Sequence, residues 1–77
     1  MALPLQEQRL KAGFSQGKLA EASGVPKSII QKYEIGYRDI NGASLETLCK
    51  LATTIGCRIS DIITDENIKK MLKECAE

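Results

Sequence analysis

Histidine is missing altogether from this 77-residue sequence, and the three cysteines, Cys49, Cys57 and Cys75, are scattered without a CxxC pair. The lack of imidazole removes the commonest general base, and the acids fall on polar helix positions, so no enzymatic chemistry is expected. A zinc site needs thiolates or imidazoles at short spacing, and none are so placed, so neither a metal nor another cofactor is expected. The cysteines read instead as small, half-buried residues of a reducing compartment. No apolar run approaches the roughly 18 residues of a membrane span. The opening MALPLQEQRLK has no apolar signal core, which points to a cytoplasmic chain. GVPKS lacks the spacing of a phosphate-binding P-loop. Strand-like alternation, internal repeats and long linkers are also absent.

What is present is helical. Pro4 suits a first helical turn, where its missing N–H costs nothing, and opens a helix to about Ala12 that Gly13 ends. Ser15 offers a cap for a second helix over 16–23. Gly24 interrupts, and a third helix follows Pro26 to about Ile35, with Gly36 behind it. Tyr37 to Gly42 is polar and turn-rich. Leu45, Leu48, Leu51, Ala52 and Ile55 recur at steps of three and four, which makes one apolar stripe on a fourth helix. Asn41 or Ser44 caps it and Gly56 stops it. Ile59, Ile62 and Ile63 suggest a short fifth helix capped by Ser60. Asp65 caps an extra C-terminal helix with Ile68, Met71, Leu72 and Cys75 on one side. The expected fold is all-α: a compact bundle of five short helices over residues 1–64, extended within the same domain by helical residues 65–77.

Residues 16–36 meet the demands of two short helices crossing steeply through a tight turn. Ala20 is small enough for the closest approach, Gly24 tolerates positive φ, and Leu19, Val25, Ile30 and Tyr33 fill the wedge. The net charge is only +1, but residues 1–60 carry eight Lys or Arg against five acids, while residues 61–77 carry three against five. The basic surplus therefore sits with this motif, compatible with weak attraction to phosphates.

The run FSQGKLAEASGVPKSIIQKYEIGYRDI resembles the helix-turn-helix of lambda-repressor-like, Cro/C1-type (XRE family) regulators, and LETLCKLATTIGCRISDII resembles their fourth and fifth helices. The resemblance covers about residues 5–64. It implies a bacterial or phage transcriptional regulator, a repressor in the usual case, that binds a palindromic double-stranded operator as a dimer with helix 26–35 in the major groove. The sequence departs from the family in four places. Gln8 replaces an apolar residue, leaving Leu5 and Leu10 to pack the first helix. Gly17 weakens the second helix by roughly 1 kcal/mol relative to Ala. Pro26 replaces a Ser or Thr cap, and Tyr37 replaces a basic residue.

With Ile30 and Tyr33 facing inward, the helical period leaves Lys27, Ser28, Gln31 and Lys32 outside. Lys27 or Lys32 can donate to guanine, Gln31 can pair with adenine, and Ser28 can serve either. Ile29 either packs inward or meets a thymine methyl. Gln16 sits at the positive end of the second helix, where phosphate is favoured. The resemblance makes it a backbone clamp and a brace for the third helix, and places Tyr37 and Arg38 in a phosphate-contacting loop. Ile68, Met71 and Leu72 either complete the core or form a homodimer interface. The alternative is an antitoxin-like or accessory module whose main partner is another protein, with DNA binding subordinate.

Overall fold

The computed structural model describes residues 3–75. Among these residues there are five α-helices: α1 (Pro4–Lys11), α2 (Gln16–Ser23), α3 (Lys27–Glu34), α4 (Leu45–Ile55) and α5 (Glu66–Glu74). Two single 3-10 turns, Ile40–Gly42 and Ile59–Asp61, join the last three. No strand occurs among the described residues.

Local chemistry accounts for the boundaries. Ser15 Oγ accepts from the Lys18 N–H at 3.1 Å and starts α2. Gly24 stops that helix at φ 79°. A Cβ at Gly24 would meet nothing within 4 Å, so the turn needs glycine for its left-handed backbone and not for space. Pro26 opens α3 with no side-chain cap. Ser44, rather than Asn41, caps α4 by accepting from the Thr47 N–H at 3.1 Å. Asn41 acts elsewhere. Its Oδ1 accepts from the N–H groups of Thr64 and Asp65, both at 2.9 Å, and pins the start of α5 to the turn before α4. Asp65 Oδ1 caps α5 by accepting from the Asn67 and Ile68 N–H groups.

The core gathers Leu5, Leu19, Val25, Ile30, Tyr33, Ile40, Leu48, Leu51, Ala52, Ile62 and Ile63. α2 packs on both α3 and α4 and is the hub of the bundle. Phe14, Ala20 and Ile29 lie against this core, which settles Ile29 as an inward-leaning residue.

Four expectations change. Leu10 is 58% exposed and does not share the packing of α1 with Leu5; the inward position beside it belongs to Arg9. Leu45, counted into the apolar stripe of α4, is 68% exposed, because it sits at the first position of the helix and outside the arc that faces α2. The expected fifth helix at Ile59–Ile63 is one 3-10 turn. Ser60 is buried within it, and Asp61 Oδ2 closes it by accepting from the Arg58 N–H at 2.9 Å. Of the cysteines only Cys57 is half-buried; Cys49 and Cys75 are exposed. Burial pushes the Cys57 thiol pKa above its ordinary value, and the nearby Asp61 charge adds to this. On α5, Ile68 and Leu72 pack against the core while Met71 is left 58% exposed.

Gly17 offers a clean stability test. It lies inside α2, its φ is not left-handed, and a Cβ there would meet nothing within 4 Å. Gly17→Ala is expected to stabilise the domain by about 0.5–1 kcal/mol through reduced backbone entropy of the unfolded chain. Thermal unfolding should show a rise of about 2–8 °C; a fall would mean that the α2 N-terminus is strained in a way its backbone does not show.

Candidate nucleic-acid interface

A polar chain runs from the centre of the bundle to the exposed face of α3. Arg9 on α1 and Glu34 on α3 are both buried, with side chains 7% and 2% exposed. Arg9 Nε donates to Glu34 Oε2 at 2.7 Å and Nη2 donates to Oε1 at 3.0 Å, a bidentate pair. Arg9 Nη1 donates to the Phe14 carbonyl at 2.8 Å, which ties the α1–α2 connection to the same centre. Glu34 Oε1 accepts a further hydrogen bond, from Gln16 Nε2 at 3.0 Å. Gln16 Oε1 in turn accepts from Gln31 Nε2 at 3.2 Å. Among the described residues no buried side-chain polar atom is left without a partner.

The order of donors along this chain follows from one charge. Glu34 is an acceptor toward Gln16, so the Gln16 amide must turn its NH2 inward and its carbonyl outward. That carbonyl then requires the Gln31 NH2. Gln31, exposed on α3, keeps its carbonyl oxygen and its second N–H free for another molecule. The carboxylate of Glu34 thereby sets the roll of an amide two links away. Gln16 braces α3, as the resemblance implied. Arg9 and Glu34 were not among the candidates, because a charged residue beside the apolar positions of a short helix reads as surface until the helices are assembled.

Lys27 and Ser28 are exposed on the first turn of α3, on the surface that carries Gln31. Lys32 is exposed further along, its Nζ 6.0 Å from the centre of the Tyr37 ring, a cation–π distance that groups these two residues together. Tyr37 is 78% exposed. The Arg38 guanidinium lies 6.0 Å from the ring centre of the buried Tyr33. From there Arg38 lines a cleft between the turn after α2 and the start of α4, with Pro26, Ser44, Thr47 and Lys50 on its walls. Lys50 and the first turn of α4 are additions to the candidates; their role depends on α4 lying beside the turn after α2, which no local pattern encodes. Among the described residues no group of three or more His, Cys, Asp or Glu gathers in one place.

A helix-turn-helix family model matches residues 5–62, most of the chain. The protein belongs to the Cro/C1-type helix-turn-helix (XRE) family. It is therefore a DNA-binding helix-turn-helix regulator, and α2 and α3 are its motif helices. No curated protein and no solved structure matches the chain. No helix of this Cro/C1-type protein, among the described residues, is long and apolar enough to cross a membrane.

Proposed function

We propose that this regulator represses transcription by binding a palindromic operator as a homodimer, with α3 in the major groove. The observation that carries the reading is the brace on Gln31. A flexible glutamine loses side-chain entropy when it meets a base, and here Gln16 and Glu34 have already fixed its amide. The free carbonyl and N–H match the N6 donor and N7 acceptor of adenine. Lys27 and Ser28, one turn nearer the amino end of α3, are placed for neighbouring base edges, because that end of a recognition helix enters the groove.

Gln16, at the start of α2, and Arg38 and Lys50, around the first turn of α4, are assigned to phosphates. Two positive helix ends and two side-chain cations there form a surface suited to successive backbone groups. Lys32 and Tyr37 take the flank of this surface. Occupancy of a promoter by such a dimer excludes polymerase, which makes repression the assigned sign. Helix α5 gives little support to the antitoxin-like alternative, since Ile68 and Leu72 are spent on the domain's own core.

Selection of bound oligonucleotides from a random pool tests the proposal. A palindromic consensus is the expected result; no enrichment would overturn it. A reporter placed under the selected site should fall on expression of the protein, and a rise would reverse the sign. Arg38→Ala is expected to weaken binding by the same factor on every sequence and to reduce the slope of log K against log salt by about 1, the signature of one lost phosphate contact. A change confined to particular sequences would remove Arg38 from the phosphate set.

A further inference from the structure

The sequence spacing of Cys49 and Cys57 matches no metal-binding pattern, yet the fold brings both residues to one place. Cys49 is exposed on α4, one turn before Ala52 and Thr53 on the same side of the helix. Gly56 ends α4 at φ 85°, and this left-handed residue sends the chain back over the last turn. There the Cys57 N–H donates to the Ala52 carbonyl at 3.0 Å. Exposed Cys49 and half-buried Cys57 therefore line one open hollow of about 190 Å³. Ala52, Thr53 and Ile59 form its other walls, and Arg58 edges it. Both cysteines are free thiols.

We infer that Cys49 and Cys57 form a two-coordinate site for a soft monovalent cation of the Cu(I) class. Thiolate sulfur selects soft ions. A structural zinc ion would need four ligands, and no group of three or more His, Cys, Asp or Glu gathers among the described residues. A two-coordinate ion needs only the pair. The apolar wall of Ala52 and Ile59 keeps water from one side of the ion, which favours so low a coordination number. On binding, each S–H bond breaks, its proton leaves to solvent, and the electron pair left on sulfur forms the bond to the ion. The ion keeps its oxidation state, so no oxidant or reductant enters the step. Charge decides the valence. Two thiolates and one monovalent ion leave a net charge of −1 in the hollow. Arg58 is exposed at its edge, forms no ion pair among the described residues, and offsets that charge. Asp61 opposes it, with its Oδ2 held by the Arg58 N–H at 2.9 Å. A divalent ion would leave the pair neutral and give the Arg58 guanidinium nothing to balance.

Cu(I) supplied anaerobically as its bicinchoninate complex, with ascorbate as reductant and no added thiol, tests the site on the full chain. The native protein is expected to withdraw one ion per chain. X-ray absorption of the loaded protein should show two sulfur neighbours and no nitrogen. Cys49→Ser and Cys57→Ser should each weaken binding more than about 100-fold, beyond the range that outer-shell changes give. Cys49 is exposed, so Cys49→Ser should keep the native Tm and its lost binding is not unfolding. Cys75 lies outside the hollow, and Cys75→Ser should bind as the native chain does. Arg58→Glu should weaken binding about tenfold, with one attraction lost and one repulsion gained. Binding that survives Cys49→Ser or Cys57→Ser, or that falls as far in Cys75→Ser, overturns the inference. So does one ion shared between two chains, or a third protein ligand in the absorption spectrum. Equal binding by Arg58→Glu overturns the choice of a monovalent ion.

Discussion

Glu34→Ala is expected to cost about 3–5 kcal/mol, the usual penalty for leaving a buried charge without its partner. Arg9 would keep its hydrogen bond to the Phe14 carbonyl but lose both bonds to the carboxylate, with its side chain only 7% exposed to water. For a domain of this size that corresponds to a Tm lower by about 12–40 °C, enough to consume most of a small domain's stability. The pair itself need not stabilise the fold, because desolvating two ions offsets much of their attraction. Arg9→Met/Glu34→Leu should therefore recover most of the loss seen in the single variant. Calorimetric unfolding of the two variants checks both statements. Equal losses in the single and double variants would show that the volume or the Gln16 contact matters and the uncompensated charge does not.

The double variant has a second use. It removes the acceptor that orients Gln16, so Gln31 regains its rotamer freedom while the bundle remains folded. Gln31→Ala is expected to lose about 1–3 kcal/mol at a single base pair, roughly 5- to 150-fold in affinity, and to leave binding to sites already altered there almost unchanged. Fluorescence anisotropy on the selected operator and its single-pair variants measures this. The Arg9→Met/Glu34→Leu protein should lose part of the same discrimination although residue 31 is untouched. If it discriminates as well as the native protein, the brace is dispensable and Gln31 reads its base unaided. A uniform loss for Gln31→Ala on every sequence would instead make Gln31 a phosphate contact.

Some of this architecture was legible residue by residue. Ser15, Gly24 and Pro26 mark the ends of α2 and the start of α3 because caps, left-handed turns and proline act within one helical turn. Leu48, Leu51, Ala52 and Ile55 announce α4 through their period alone. The misreadings share one cause. Leu10 and Leu45 fit an apolar pattern, yet a period says only that residues share a face, not which face a neighbouring helix covers. Ser60 has the chemistry of a cap, but the turn around it is one 3-10 turn closed by Asp61.

The interface divides along the same line. Lys27, Ser28 and Gln31 are assignable to the outer side of α3 from the inward positions of Ile30 and Tyr33, since both follow from one helical period. Short-range chemistry and periodicity thus suffice for the helices, the turn at Gly24 and the identity of the outward side chains. The links Arg9–Glu34, Gln16–Glu34 and Gln16–Gln31 span 25, 18 and 15 residues. Their existence depends on how three helices cross, and so does the burial that makes a surface-looking Arg and Glu into the centre that orients Gln31. Only packing sets those distances, because hydrogen bonds act over about 3 Å and no local pattern carries the crossing of one helix over another.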